Sequence, residues 1–496
     1  METVQPKKLW IITRILPSLS DVLFVSLLFA VYLLGGRMLN IDSDLGRHLA
    51  IGDFILDTGS IPTKDILSHT REGNHRPPYE WFSQVLLAGT HRIGGLAGVI
   101  FLTGLIISAT FTILYGEAVK RTGLPILSAF LIILIAGASS LHWLPRPHIF
   151  TFIFLTAWII LLETHHNSPK KLIPYASGMM ILWANIHAGF IFGLLTWLAY
   201  FAGSIWEWLK KRQEGVGKVK VFLITGIFAL IASVITPDGW GNWIALLGNN
   251  SRYILENTTE TMSPNFHNAG MLPFLILLAF SISLPSLTNA SIRPALVFLN
   301  AGMAMAALLV ARNIPLFAIS SAFMLSSCIK EIFVKESLLM KIELRTLQLQ
   351  SQLQGGFWKM TAVILFGAII ILNHGNLTSR YQFAPSIFPV EAVKWLNDNP
   401  QQGNMFNEFN WGGYLEYAMK PRQPVFIDSQ TDFYGESLTR EYQAVILLSG
   451  DWEQVFEEYE VDWAIIKTNS ILATHLIREK NWEILYGDDT AVIIKR

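Results

Sequence analysis

The sequence predicts a polytopic α-helical membrane protein that carries a small α/β domain at its C-terminal end. Three observations predict it. Of 496 residues, 52% are hydrophobic and only 15% charged, with a mean hydropathy of +0.41. Long uncharged runs recur through the first three quarters of the chain, and charge density rises abruptly near residue 374. A soluble enzyme of this length would carry about a quarter charged residues. Lys+Arg and Asp+Glu both total 37, but 18 acidic and 10 basic residues follow position 373, which leaves 19 acidic and 27 basic before it. The neutral sum therefore conceals a basic membrane part, residues 1–373, and an acidic tail, residues 374–496. Neither is a nucleic-acid binder. The single cysteine, Cys328, lies in an apolar run, so no intrachain disulfide can form and the residue reads as a small core hydrophobe.

A bilayer is crossed by about 20 apolar residues in a helix. Runs of that order lie at 93–116, 122–141, 188–206, 269–286, 294–311 and 313–329, and shorter or interrupted ones near 17–36, 147–162, 172–186, 220–236 and 358–373. The expectation is thus about eleven spans. The first run follows Lys7, Lys8 and Arg14 but has no clear small-residue cleavage site, so it reads as an uncleaved first helix. Cytoplasmic loops carry the excess of Lys and Arg. With a cytoplasmic N-terminus, alternate loops hold Lys120-Arg121, Lys170-Lys171, the cluster from Lys210 to Lys220, and Lys335, Lys341 and Arg345. An odd number of spans then makes the acidic C-terminal domain extracytoplasmic, as expected for a protein of the bacterial cytoplasmic membrane.

The remaining loops, all on the outer side in this topology, collect the unusual residues: Asp42, Asp44 and His48; Arg146, Pro147 and His148; Asn185 and His187; Pro237 to Trp240; and Ala311 to Pro315 with Arg312. Charged and imidazole groups at span ends are costly unless they face a cavity or a partner. Their gathering on one side suggests a shared polar cavity. The first outer loop, 37–92, is long enough to hold structure. Residues 44–56 read as a helix with Leu45, His48, Leu49 and Gly52 on one stripe. Asp44 opens that helix, either as a backbone cap or, with Asp42, as a general base or metal ligand. Asp44 and His48, four residues apart, share a face and could bind a divalent ion such as Mg or Mn. The amphipathic stretch 78–87 suits the headgroup zone, and its Glu80 offers a further carboxylate. Arg146 and Arg312 sit beside prolines at outer span ends. Guanidinium forks grip phosphate oxygens, so both are candidate phosphate contacts, with snorkelling to headgroups as the alternative. His187 reads either as a packing residue or as a site residue.

The tail has 28 charged residues in 123 but also Trp395, Trp411, Trp452, Trp463 and Trp482, aromatic content that disordered segments lack. Strands are predicted at 404–409, 424–428, 461–467, 482–487 and 490–495, and helices at 389–398, 412–419, 436–448, 451–459 and 471–480. The segment Phe406 to Leu415 contains Asn410-Trp411-Gly412-Gly413-Tyr414, where the glycines permit a tight turn into a helix. Asp428 ends a buried-looking strand, a position at which α/β sheets often carry sites. A turn and a cap are the plainer reading of the same residues.

An acidic pair in a long first outer loop, many spans and a soluble outer C-terminal domain resemble the GT-C class of membrane glycosyltransferases, including protein mannosyltransferases. Asn410-Trp411-Gly412-Gly413-Tyr414 followed by a strand ending in Asp428 is similar to the Trp-Trp-Asp-Tyr-Gly region in the catalytic subunit of oligosaccharyltransferases. The chain also resembles a bacterial branch of GT-C-like proteins in Arg146-Pro147-His148, Asn185-Ile186-His187, Ala311 to Pro315 and Trp411 to Leu415. The resemblance implies a transferase that takes a sugar from a polyprenyl-linked donor to a glycan, lipid or protein acceptor. Asp42 or Asp44 would be its base or metal-binding carboxylate, Arg146 and Arg312 its donor-phosphate contacts, and Trp411, Tyr414 and Asp428 further site candidates. Gly412-Gly413 stands where the oligosaccharyltransferase motif has Trp-Asp, which argues against an Asn-X-Ser/Thr peptide acceptor. An inactive scaffold or a transporter is the competing class.

Overall fold

The computed structural model describes residues 13–41, 43–210, 216–248, 251–257, 259–332, 337–353, 355–372, 380–419 and 422–496. Helix α1 spans Leu19–Ile41, and α2, Leu45–Thr58, lies in the first long loop. There follow α3 (Trp81–Thr122), α4 (Pro125–Ser139), α5 (His148–His165), α6 (Pro169–Ile186), α7 (Phe190–Lys210) and α8 (Val216–Ala232). Two short helices come next, α9 (Gly241–Gly248) and α10 (Arg252–Asn257). The membrane part ends with α11 (Leu272–Leu287), α12 (Pro294–Leu309), α13 (Ile314–Ile332), α14 (Leu338–Gln352) and α15 (Phe357–Leu372). Each of the eleven predicted apolar runs falls on a helix. Among the described residues seven helices are long and apolar enough to cross a membrane, or eight if the bent pair α14 and α15 counts as one. The shortfall from eleven has a simple origin. Helices α8, α12 and α15 have 17, 16 and 16 residues and lack the adjoining 3-10 turn that brings α4 and α11 to 18 and 19, and a helix of that length reaches about 25 Å of a hydrocarbon core about 30 Å thick. Helix α6 is long enough but begins with Lys170 and Lys171 and contains Pro174.

Helix α3 joins an amphipathic segment to a span. Gly94 and Gly95 leave helical geometry inside it, Gly95 with φ 58, so the segment from Trp81 runs in a different direction from the span that follows. The carboxylate that starts it, Glu80, is therefore placed beside the first-loop helix α2.

The C-terminal part contains α16 (Val390–Asp398), β1 (Asn404–Asn407), α17 (Gly412–Ala418), α18 (Thr431–Leu447), α19 (Trp452–Glu458), β2 (Val461–Lys467), α20 (Ile471–Arg478), β3 (Glu483–Gly487) and β4 (Ala491–Lys495). Its sheet has the order β1-β2-β4-β3, with β1 and β2 parallel and the other pairs antiparallel. The predicted strand 424–428 is not a ladder strand. Its backbone pairs instead with the first long loop, Val425 donating to the Leu67 carbonyl at 2.9 Å and His69 donating to the Val425 carbonyl at 3.0 Å. On its other side the Asn407 carboxamide accepts from Phe426 N and donates to the Ile427 carbonyl. A side chain replaces a ladder there, and the freed backbone fastens the sheet to the membrane part.

The second fastening is glycine against glycine. A Cβ on Gly46 would stand 2.1 Å from the Gly413 carbonyl, one on Gly413 2.4 Å from the Ser43 carbonyl, and one on Gly412 2.3 Å from the Ile427 carbonyl. Helices α2 and α17 thus touch backbone to backbone, which explains the glycine pair better than a turn does. Gly413→Val should unseat this junction at a cost of about 1–3 kcal/mol. Limited proteolysis of the full chain should show new cleavage between residues 380 and 430, whereas an unchanged pattern would mean that α17 is not pressed on α2.

The opposite end of the bundle closes with carboxylates. Asp21 is buried and accepts from Ser18 N, from Ser18 Oγ and, across the bundle, from Gly356 N at 2.8 Å. Lys359 Nζ lies 3.8 Å away. Glu343 accepts from Ile126 N and Leu127 N at the start of α4, where helix N-termini favour anions. Arg121 and Arg293 share Glu163. These residues belong to the lysine-rich side of the predicted topology.

Candidate active site

Helix α2 begins with Asp44 at its cap position, yet the carboxylate accepts no capping bond from the helix. It turns toward cations instead. Arg146 Nη1 lies 2.9 Å from Asp44 Oδ2, Arg47 Nη2 lies 3.6 Å from Oδ1, and the Ser429 hydroxyl donates to Oδ1. Burial opposes ionisation of Asp44, but Arg146 and then Arg47 outweigh it and hold the carboxyl below its usual range. Asp44 is an anion fixed between guanidinium groups.

A second layer stands behind it. Arg47, one helical turn along α2, also bonds Asp428 Oδ1 at 3.1 Å, and Arg76 bonds Asp428 Oδ2 at 3.2 Å and Asp65 Oδ1 at 2.6 Å. Asp428 and Asp65 are fully buried. Burial works against the charge on Asp428, and Arg47 and Arg76 overcome it. Beneath lies Glu416, whose carboxyl is buried against Asp428. Burial first and then Asp428 push its pKa well up, which favours the protonated form that can donate to Asp428. The network joins the first long loop to the segment after Val425, and it exists only when both are in place.

Glu80 has the opposite character. Its side chain is 17% exposed, and the nearest imidazole nitrogens, His48 Nδ1 and His187 Nε2, each lie 3.8 Å from it, beyond hydrogen-bond reach. Burial lifts Glu80 to about 7, with Asp432 and Asp44 adding to the rise and Arg47 opposing it. Burial and then Arg47 keep His48 neutral. Burial and then His148 and Arg312 do the same for His187. Thr151 Oγ1 and Gly189 N contact His187 Nδ1 at 2.8 and 2.9 Å, while His148 binds the His142 carbonyl through Nε2 and stands 6.5 Å from His187 ring to ring. Trp81 Nε1 donates to Asn185 Oδ1 at 2.8 Å and ties the start of α3 to the end of α6. A small space lined by Arg76, Tyr79, Glu80, Trp81, Gln84 and Gln430 opens at this point.

The structure therefore brings together Asp44, His48, Glu80, Arg146, His148, His187 and Asp428. Arg312 stands at the edge of this group: it is exposed on the 3-10 turn Ala311–Asn313, forms no ion pair among the described residues, and is close enough to His187 for its charge to oppose protonation of that ring. Two others lie elsewhere. Trp411 is buried and donates to the Ile387 carbonyl, and Tyr414 packs between Phe383 and Phe388; both belong to the packing of the C-terminal part. Asp42 lies outside the described residues. Among the described residues no three His, Cys, Asp or Glu side chains converge as metal ligands. Asp44 is engaged by two guanidinium groups and His48 Nδ1 faces Gln84 Nε2 at 3.3 Å, so these donors do not fit a divalent cation.

The sequence reading missed Arg47, Arg76, Asp65 and Glu260, whose Oε1 lies 3.2 Å from Arg146. Arg47 had a local signal, three residues after Asp44 on the same helix. Arg76 and Glu260 join segments far apart in sequence, where no period reports them, and Asp65 meets Arg76 within one loop.

No family model and no curated protein matches the chain. Solved structures do. The archaeal oligosaccharyltransferase AglB from Archaeoglobus fulgidus, in complex with an inhibitory peptide and a dolichol-phosphate, superposes with a TM-score of 0.55 at 13% identity, over 90% of this chain and 69% of that one. The apo oligosaccharyltransferase from the same organism gives 0.53 at 12%, over 92% and 70%. ArnT from Cupriavidus metallidurans bound to undecaprenyl phosphate gives 0.50 at 12%, over 95% and 97%. The fold of this chain is that of the GT-C glycosyltransferases.

Proposed function

We propose that this protein is a glycosyltransferase that moves a sugar from a polyprenyl-phosphate-type donor to an acceptor at the outer face of the membrane. The observation that carries the reading is the pairing of a weakly acidic carboxyl, Glu80, whose side chain accepts no hydrogen bond among the described residues, with a fixed anion–guanidinium array, Asp44 with Arg146 and Arg47, at the junction of the first long loop and the C-terminal part. Likeness in fold to structures that hold dolichol-phosphate and undecaprenyl phosphate supports the donor class. The concentration of lysine and arginine at the other end of the bundle supports an outer site and a cytoplasmic N-terminus.

In this reading the acceptor hydroxyl gives its proton to Glu80 as its oxygen forms the bond to the anomeric carbon. The bond from that carbon to the phosphate oxygen breaks, and the lipid phosphate leaves with the electron pair toward Arg146. The anomeric centre inverts. Asp44 serves by orienting Arg146 and is too strongly held by cations to act as the base. Glu260 shares Arg146 and would be displaced by the departing phosphate. The His48 and His187 rings, both neutral, exclude water from Glu80 without donating a charge to it.

The test is a comparison of polyprenyl-linked sugar pools and envelope glycans by mass spectrometry in a deletion strain complemented with wild type or with Glu80→Gln, both inserted at equal levels. Wild type should restore a glycan that Glu80→Gln does not, with the lipid-linked donor accumulating. Equal restoration by both would reject the assignment and favour a scaffold.

A further inference from the structure

A second and larger space, about 400 Å³, adjoins the first. Pro77, Tyr79 and Gln430 line both spaces, so the two meet at these residues. The larger one is bounded by His75, Asp432 and Phe433 on one side and by helix α9 on the other. Gly241, Ala245 and Gly248 turn one small-residue face of α9 to it, which keeps the space open. Its volume falls within the range of about 300–1,000 Å³ that holds small ligands.

The polar groups at its wall form a chain that begins in the buried ion network. Arg76 bonds Asp428 and donates to Gln430 Oε1 at 2.6 Å. Gln430 Nε2 donates to the Tyr79 hydroxyl at 3.2 Å, and that hydroxyl donates to Asp432 Oδ2 at 2.8 Å. Asp432 is the end of the chain: among the described residues it forms no ion pair, and its second oxygen accepts no hydrogen bond. The space is thus furnished with a carboxylate oriented by a neutral hydroxyl, an imidazole held by Asp238 at 3.0 Å, and the Phe433 ring. A phosphate would be repelled by Asp432. An ammonium would meet Arg76, whose guanidinium stands 4.7 Å over Phe433. A neutral ring with several hydroxyl groups meets neither objection, because hydroxyls donate to a carboxylate in strong charge-assisted bonds and the apolar face of the ring packs on an aromatic side chain.

We propose that this larger cleft is the acceptor site and that it binds a neutral pyranose, whose hydroxyls donate to Asp432 while its apolar face lies against Phe433. The assignment rests on the transferase reading and adds to it the acceptor class. Beside the cleft, Trp240 and Ile244 are 67% and 71% exposed, an apolar border suited to the headgroup zone, so a sugar carried on a lipid reaches the cleft as readily as a free one.

The experiment uses the full chain in nanodiscs and saturation-transfer NMR. The probes are a panel of neutral methyl pyranosides and trisaccharides, the same sugars on a diacylglycerol anchor, and an Asn-Ala-Thr peptide. Asp432→Ala and Ala245→Trp should each weaken sugar binding by about tenfold or more, the loss of one charge-assisted bond or of the space itself. Tighter binding of the anchored sugars would identify a lipid-borne acceptor, and equal binding a free one. The isosteric Asp432→Asn keeps the test valid if Ala245→Trp does not fold. Failure of every sugar to bind, sugar binding indifferent to all three substitutions, or Asp432-dependent binding of the peptide alone would overturn the proposal. Undecaprenyl phosphate is titrated in parallel: if wild type does not bind it, the transferase reading fails on its own account, and if it binds while the sugars do not, only the acceptor assignment is lost.

Discussion

Glu80→Gln is expected to lower the rate of sugar transfer by roughly 10²–10⁴-fold, the range associated with loss of a general base, with little change in binding of undecaprenyl phosphate. The sign of the accompanying pH effect follows from the environment of the carboxyl. Burial, reinforced by Asp432 and Asp44 against Arg47 and Arg146, raises Glu80 to about 7. Below that pH it carries a proton and cannot accept another, so wild-type activity should rise as pH increases through about 7. The rising limb should vanish in Glu80→Gln. The same shift costs stability: a group whose pKa is higher in the folded state makes the fold less stable as pH rises from the unfolded value toward 7. A transfer assay across pH 5 to 9 separates the two carboxylates. If Glu80→Gln kept the wild-type rate and profile while Asp44→Asn removed activity, the base would be Asp44 and the structural argument would be wrong.

Arg47→Met should produce the largest loss of stability. Arg47 is 5% exposed and pairs with both Asp44 and Asp428, the latter fully buried. Its removal leaves Asp428 with Arg76 as its one guanidinium among the described residues, beside the Gln430 N–H and the Tyr434 hydroxyl, with Glu416 beneath. Breaking one partner out of a buried pair costs about 3–5 kcal/mol, because a charge is left in a poor environment. Arg47→Lys should be intermediate, since it retains charge but cannot serve two carboxylates as a planar fork. The double substitution Arg47→Met/Asp428→Asn should recover part of the loss. Thermal unfolding of the full chain in nanodiscs gives the ranking, and a single-substitution cost below about 1 kcal/mol, the value of an exposed pair, would mean that water reaches the network.

The sequence made the helices legible because each must present a long apolar run to lipid, and all eleven runs are helical. What it left open was which of them are long enough, a matter of one or two turns at ends where Lys170, Lys171 and Pro174 interrupt α6. In the C-terminal part, β1, β2, β3 and β4 were legible within a few residues from alternation and bounding turns. The segment 424–428 was not, since an extended run reads the same whether its backbone pairs with a sheet or, as here, with a membrane loop. Asp44, Glu80, Arg146 and His187 stood out as polar residues at outer helix ends. Their roles did not, because the difference between Asp44 and Glu80 lies in how closely guanidinium groups hold each, and the one nearest Asp44, Arg146, comes from a different loop. Trp411 and Tyr414 drew notice as unusual residues, yet their surroundings are hydrophobic packing.

The clasp between Asp21 and Gly356 sets an order of events during synthesis. The first helix emerges and inserts with a carboxylate near its start, and the backbone N–H that completes its hydrogen bonding lies 335 residues later. At about 5–20 residues per second, that partner is made roughly a quarter of a minute to a minute afterwards. Through that interval Ser18 is the described partner that bonds the Asp21 carboxylate, and the turn before α15 completes its set when it arrives. The two ends of the membrane part are therefore tied together late, and a nascent chain stalled before residue 356 should hold its first helix less firmly than the finished protein does.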